Sequence, residues 1–206
     1  MKWTDGSKIK YYSIRNREYA VSFADFAIDM HCILHVIIHV SHCRYWSDYE
    51  AGFGDLTGNH WLGLTKLARL TASGPVQLHV YLEAFDAGDW AYALYDSFQI
   101  TDASDDYRLS VSGYSGTAGN AMYDNVESAD GMRFSTRDSD NDLHPHRNCA
   151  DYYSGAWWYR ACHRASLNGL YLAGTHTSVA DGVNWVPYKS FFYSLKTTIM
   201  KIKPVN

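Results

Sequence analysis

The 206 residues carry 18 Lys and Arg against 22 Asp and Glu, a net charge of -4 that leaves no basic face for nucleic acid and no polybasic run for anionic lipid. Charged residues make up only 19% while aromatics reach 16%, with 17 Tyr and 7 Trp, so rings with polar handles are expected either as sugar and peptide platforms or as the ordinary filling of a β-rich core. The length allows one large domain or two small ones with a sizeable core.

The stretch from Tyr19 to Val40 is apolar in places but is interrupted by Asp25, Asp29, His31, His35 and His39, too many polar groups for a membrane span. The first residues, Met1 to Asp5, lack the apolar run of a signal peptide. Cys32, Cys43, Cys149 and Cys162 fit a secreted disulfide protein or a set of free thiols, and none forms the Cys-x-x-Cys of a zinc ribbon or a thioredoxin-like site.

Residues 1–43 show no sustained period. Their best feature is the β-branched run from Ile33 to Val40, expected as a buried strand. From Tyr45 onward the pattern becomes orderly. A loop at Gly52 to Asp55 precedes Thr57, expected to cap a helix whose apolar side carries Trp61, Leu64, Leu67 and Leu70 and which Gly74-Pro75 stops. Val76, Leu78, Val80 and Leu82 then alternate with Gln77, His79, Tyr81 and Glu83, a half-buried strand. Further strands are expected at Tyr92 to Ile100 and Tyr107 to Tyr114, separated by the acidic turn Asp102 to Asp106, with Gly113 to Gly116 as a tight turn. Beyond Ser115 the chain is rich in Gly, Ser, Asp, Asn and aromatics. A terminal strand from Phe191 to Lys203 with Tyr193, Leu195, Thr197 and Ile199 on one face closes it.

The sharpest chemical signal is Asp138-Ser139-Asp140-Asn141-Asp142. Alternating carboxylates offer hard oxygens from one side, which suits calcium, although a solvated acidic turn reads the same. An EF-hand is excluded, because Leu143 and Cys149 stand where it needs Gly and a bidentate Glu. His144 and His146 could also serve zinc, but no thiolate pair joins them. A Cys149–Cys162 bridge would close a short loop beside this run, stabilising it by roughly 3 kcal/mol on the chain-entropy model.

Tyr45 to Asp55, Trp61-Leu62-Gly63-Leu64, Gly113 to Gly119 and Phe134-Ser135-Thr136 follow one another in a known order. The Asp run, Asn148-Cys149-Ala150, Gly155 to Tyr159, Cys162-His163, Leu167-Asn168-Gly169 and Met200-Lys201-Ile202 continue it. In that order they resemble the fibrinogen C-terminal domain over about residues 45 to 204, with Gly-Ala-Trp-Trp-Tyr and Thr-His-x-Ser nearest to ficolin- and tachylectin-type lectins. The resemblance implies an α+β fold: a central antiparallel sheet, few short helices and a large irregular C-terminal region that binds calcium and ligand. Residues 1–43 would be a divergent N-terminal segment, since the family's paired cysteines and Gly-Gly-Trp-Thr strand are absent there. Residues 44–206 would be the domain itself, 44–114 bearing the sheet and 115–206 the binding region.

The same resemblance assigns residues. Asp140 and Asp142 would bind calcium with the main-chain carbonyls of His144 and His146, and Cys149 would pair with Cys162 after a cis Ala161–Cys162 peptide. An acetyl-binding cup would be formed by Tyr153, Cys162, His163, Val179 and Ala180. Two departures bear on it: Val179 stands where the lectins commonly have an aromatic, and the Asp142–Cys149 loop is one residue longer and includes Pro145. The expected function is extracellular, calcium-dependent recognition of acetylated glycans, as in innate immunity, by a domain with no enzymatic activity and no membrane insertion. It would be oligomeric through sequence outside this chain. The alternative within the family is a protein-binding module for a receptor or the extracellular matrix. Catalysis by a Cys162–His163 pair is not expected, since an oxidised cysteine has no thiolate, nor is a Gly-x-Ser-x-Gly elbow present at Gly113.

Overall fold

The computed structural model describes residues 11–14, 17–20, 36–37, 44–55, 58–123 and 127–205. The chain forms two compact units, Met1–Cys32 and Ile33–Asn206. The first holds an antiparallel pair of β1 (Tyr11–Ile14) and β2 (Arg17–Ala20), with Tyr12 in register with Tyr19.

The second unit contains β3 (Val36–Ile37), α1 (Trp46–Ala51), β4 (Phe53–Gly54), β5 (His60–Trp61), α2 (Leu64–Ala72), β6 (Val76–Glu83), β7 (Trp90–Ile100) and β8 (Leu109–Gly116). There follow α3 (Cys149–Tyr152), β9 (Ala165–Ser166), β10 (Gly174–Thr175), β11 (Asn184–Trp185), β12 (Tyr193–Ser194) and β13 (Thr197–Pro204). A five-stranded antiparallel sheet in the order β3-β13-β6-β7-β8 forms its centre. The α+β class is as expected.

β6 buries Val76, Leu78, Val80 and Leu82 in strict alternation, the period-2 pattern of a strand with one face on a core. Its neighbours put Met200 and Ala93 on either side of Val80, so the same layer continues across three strands. α2 covers that layer with Leu64, Leu67, Ala68 and Thr71, spaced three and four apart on one stripe. The Thr71 hydroxyl accepts the Ile100 N–H at 3.2 Å and fixes the helix to β7.

Three local expectations are corrected. The helix begins at Leu64 rather than near Thr57, which lies outside the described residues. Gly63 takes φ 105° and approaches the Ala51 main chain so closely that a Cβ would meet it at 2.7 Å, which leaves Trp61 in β5 and buried against Tyr49. The segment Gly113 to Gly116 is strand, not turn: Gly113 keeps φ 73° opposite Asp96, whose side chain a Cβ would strike at 2.7 Å. The terminal strand is split, β12 pairing with β10 while β13 joins the main sheet and buries Thr198, Met200 and Ile202, not Thr197 and Ile199. The break at Leu195-Lys196 shifts the phase by one residue, and one residue exchanges faces.

The rest of the unit has little regular structure and is held by side chains in place of ladders. Trp157 and Trp158 are core residues, not surface platforms. The Trp158 indole donates to the Tyr107 carbonyl at 2.8 Å, and Trp185 does the same to Gly119 at 2.9 Å. Phe134 gathers Tyr49, Trp61 and Trp158 in tilted and edge-on contacts with centroids 5.1–5.9 Å apart. Asn168 donates to the Ala156 carbonyl at 3.0 Å, and the Tyr159 and Ser166 hydroxyls meet at 2.8 Å. Between Phe134 and Trp185 these contacts supplement one short helix and a few two-residue strands. Cys32 and Cys43 lie outside the described residues.

Candidate functional site

The acidic loop is positioned by an antiparallel bridge between Ser135 and Trp157 and by Asn141, whose amide donates to the Phe134 carbonyl at 2.9 Å. Its three carboxylates are not equivalent. Asp138 accepts the Trp46 N–H at 2.9 Å and the Thr136 hydroxyl at 2.7 Å, so it fastens the loop to the start of α1. Asp140 and Asp142 are drawn together: the Asp142 N–H donates to Asp140 Oδ1 at 3.3 Å. One Asp142 oxygen accepts the His144 N–H and the other the Cys149 N–H, both at 2.7 Å.

Burial pushes the Asp142 carboxyl up from its ordinary value, against the pull of those two N–H groups, and the neighbouring Asp140 charge adds to the push. Two hard carboxylates held side by side are the donor set that a calcium ion stabilises. Among the described residues no three His, Cys, Asp or Glu side chains gather at one point. Further ligands would therefore be main-chain carbonyls and water, as the assignment of His144 and His146 requires. Their imidazoles do not converge. The rings sit edge to face with centroids 6.4 Å apart, and His144 Nδ1 accepts the His146 N–H at 3.2 Å.

Asn148 links this loop to α3. Its side-chain oxygen accepts the Ala150 and Asp151 N–H groups at 2.8 and 3.1 Å, an N-cap, and its amide donates to the Thr136 carbonyl at 2.9 Å. Cys149 follows and is disulfide-bonded to Cys162, with the Cα atoms 5.6 Å apart. The Ala161–Cys162 peptide is cis.

Beside the disulfide lies a cavity of about 180 Å³. Cys162 and His163 line it from one segment, Tyr153 from the end of α3, and Ala180 from the loop after β10. The His163 ring is enclosed by Tyr153, Tyr159 and Phe191, at centroid distances of 5.1, 5.2 and 6.4 Å. Only 6% of the residue is exposed, and neither ring nitrogen has a hydrogen-bond partner. Burial pushes its pKa down to about 4. The Asn184 side chain and the Ala180 main chain beside the ring pull the other way. The imidazole is neutral at pH 7, with one nitrogen to donate and one to accept.

Val179 is not part of this wall. It is 53% exposed, while Ala180 is buried at φ 62° and donates its N–H to the Phe191 carbonyl at 2.9 Å. That turn tucks Ala180 inward, leaves Val179 outside and brings Phe191 alongside. Phe191, Ala161 and Glu127 are the lining residues that sequence reasoning missed. The Phe191-Phe192 pair was the available signal for the first. Nothing in the pattern around Glu127 marks it.

Residues 39–205 match the family described as the C-terminal globular domain of fibrinogen beta and gamma chains. This chain belongs to the fibrinogen C-terminal domain family. Such domains are binding modules without enzymatic activity, in agreement with the oxidised Cys162 beside His163. The fibrinogen-like domain is 50% identical over 172 residues to Fibrinogen C domain-containing protein 1 of Macaca fascicularis, covering 81% of this chain and 38% of that protein. It is 46% identical over 170 residues to Microfibril-associated glycoprotein 4 of Mus musculus, covering 80% of this chain and 64% of that one. The chain thus spans well under half the length of the first of these relatives.

Among solved structures, the fibrinogen-like globe domain of human ANGPTL6 matches with a TM-score of 0.78 and 32% identity over 98% of this chain and 90% of that one. Lamprey fibrin D-dimer complexed with the peptide ligand Gly-His-Arg-Pro-amide matches with a TM-score of 0.78 and 30% identity, over 97% and 70%. Within the described residues, no helix of the fibrinogen-like domain is long and apolar enough to cross a membrane.

Proposed function

We propose that this domain is an extracellular, calcium-dependent recognition module that takes acetyl groups of glycans or similar ligands into the cavity beside the Cys149–Cys162 bridge, as a pattern-recognition protein of innate immunity would. The observation that carries the reading is the small cavity itself, walled by Tyr153, Phe191 and Ala180 around His163, a neutral and almost wholly buried imidazole. Buried polar atoms require partners. An acetamido group brings a methyl for the aromatic and alanine walls and an amide for the polar groups at the mouth. Calcium, held by Asp140 and Asp142 with the carbonyls of His144 and His146, would neutralise two adjacent carboxylates and stiffen the loop tied to Cys149. It would not touch the ligand. The disulfide and the microfibril association named for one relative support an extracellular setting.

A single acetyl group offers few contacts, so useful avidity requires several domains together, supplied by sequence outside this chain. The test is retention of the domain on N-acetylglucosamine beads with calcium and with chelator. Retention in calcium, release in chelator and loss with His163→Gln are expected. Retention unchanged by chelator overturns the role of calcium, and retention unchanged in the His163 variant overturns the cavity.

A second reading is a protein- or peptide-binding module. It is favoured by the similar lamprey fibrin structure, which is complexed with a peptide ligand. Silence towards acetylated beads together with saturable binding to a peptide or receptor surface would support it.

A further inference from the structure

The wall that Ala180 gives the cavity belongs to a strained turn. Ala180 holds φ 62°, a left-handed backbone that a residue with a Cβ adopts only where its surroundings dictate it. Main-chain hydrogen bonds do not close the segment from Thr177 to Asp181 on itself. They lead outward, the Ala180 N–H to the Phe191 carbonyl at 2.9 Å and the Asp181 carbonyl to the Leu170 N–H at 2.8 Å.

The turn is spanned internally by side chains. The Ser178 hydroxyl donates to Asp181 Oδ1 at 2.8 Å, a bond that closes around Val179 and Ala180. Its single hydrogen is thereby used, so its oxygen accepts from the His176 ring, whose Nδ1 lies 3.1 Å away and carries the proton. His176 is itself anchored. Its main-chain N–H donates to the Phe192 carbonyl at 2.9 Å, and its Nε2 packs so closely on Gly182 that a Cβ there would meet it at 2.9 Å. Ser178 stands at the surface, but the side chains at the two ends of the link are only 9% and 22% exposed.

We propose that Ser178 is a positioning residue for the cavity: by linking His176 to Asp181 it fixes the turn that sets Ala180 as a wall, and so limits the cavity to the methyl of an acetyl group. It acts through Ala180, since its own side chain does not line the cavity. The inference rests on the acetyl reading and extends it from the wall to what holds the wall. A fixed apolar wall separates a methyl from an ethyl group by about ten-fold or more, and a wall free to retreat does not.

N-acetylglucosamine and N-propionylglucosamine, each competing the domain off N-acetylglucosamine beads in calcium, test it. The wild-type domain should prefer the acetyl sugar at least about ten-fold. Ser178→Ala should bind the acetyl sugar about five-fold more weakly and bring the two sugars within about three-fold of each other. Ser178→Thr, which keeps the hydroxyl, should behave as wild type. A cooperative melt within about 5 °C of wild type shows that the alanine variant is folded. If it is not, Asp181→Ala, which removes the acceptor and keeps the hydroxyl, takes its place with the same expectation. If the wild-type domain binds neither sugar, or prefers neither, the acetyl reading falls and this inference falls with it. If the wild type prefers acetyl and the variant keeps that preference, with affinity unchanged or lowered equally for both sugars, the positioning role alone is overturned.

Discussion

Asp142 accepts the main-chain N–H of Cys149 at 2.7 Å, so the acidic loop and the disulfide that walls the cavity are one mechanical unit. Removing the carboxylate leaves two main-chain donors, those of His144 and Cys149, without their acceptor. Asp142→Ala should therefore lower stability by about 1–3 kcal/mol. The wild-type domain should gain thermal stability on adding calcium, by about 2.7 kcal/mol at a hundred times the dissociation constant. The variant should gain none. Thermal melts with and without calcium check both statements, and an equal calcium response in the two proteins would remove Asp142 from the ion site.

Reducing or deleting the Cys149–Cys162 bridge frees a loop with a sequence separation of 13 that contains Tyr153 to Tyr159. The expected loss is about 3 kcal/mol on the chain-entropy model. Because Cys162 adjoins His163, the Cys149→Ala, Cys162→Ala double variant should also release the domain from acetylated beads in calcium. Denaturant unfolding gives the first effect and bead retention the second.

His163 makes a statement about pH. Its ordinary pKa is 6.5 and in the folded domain it falls to about 4, so between those values the unfolded chain binds the extra proton. Stability contributed by the neutral imidazole is fully present above pH 6.5 and is lost as pH falls towards 4, by up to about 3 kcal/mol. Below pH 4 this group adds no further slope. His163→Phe keeps a ring among Tyr153, Tyr159 and Phe191 and abolishes the titration. The wild type should thus lose stability relative to the variant by up to about 3 kcal/mol between pH 7 and 4, and a constant difference would refute the assignment.

Asn148 serves two neighbours at once, capping α3 and holding the Thr136 carbonyl. Asn148→Ala should reduce stability by about 1–2 kcal/mol. Asn148→Asp, which keeps the cap but cannot donate to Thr136, should lose less. Comparing the two by denaturant unfolding separates cap from clamp.

What could be read from sequence follows from where one physical rule acts alone. β6 was legible because one face of it packs on a core and the other does not, so polarity alternates with the pleat. The α2 boundary was not, because Gly63 is dictated by its approach to Ala51, a tertiary contact with no local sign. Motif order brought out Tyr153, Cys162, His163 and Ala180, which the structure gathers at one cavity, and Val179, which it leaves outside. Glu127 and Phe191 enter that cavity from loops, and no periodicity encodes such an approach.

Phe191 and Val179 therefore give opposite expectations from what motif position alone suggests. Phe191 stands 6.4 Å from the His163 ring and lines the cavity, and its carbonyl, which every substitution retains, holds Ala180. Phe191→Ala opens one wall and should weaken capture of an acetylated ligand about ten-fold, roughly 1.4 kcal/mol. Val179→Ala alters an exposed side chain beyond the lining and should leave affinity within about two-fold, well under 1 kcal/mol. Competition on N-acetylglucosamine beads measures both. A large loss in the Val179 variant with little in the Phe191 variant would mean that ligand approaches over the outer loop, and the cavity would no longer be the site.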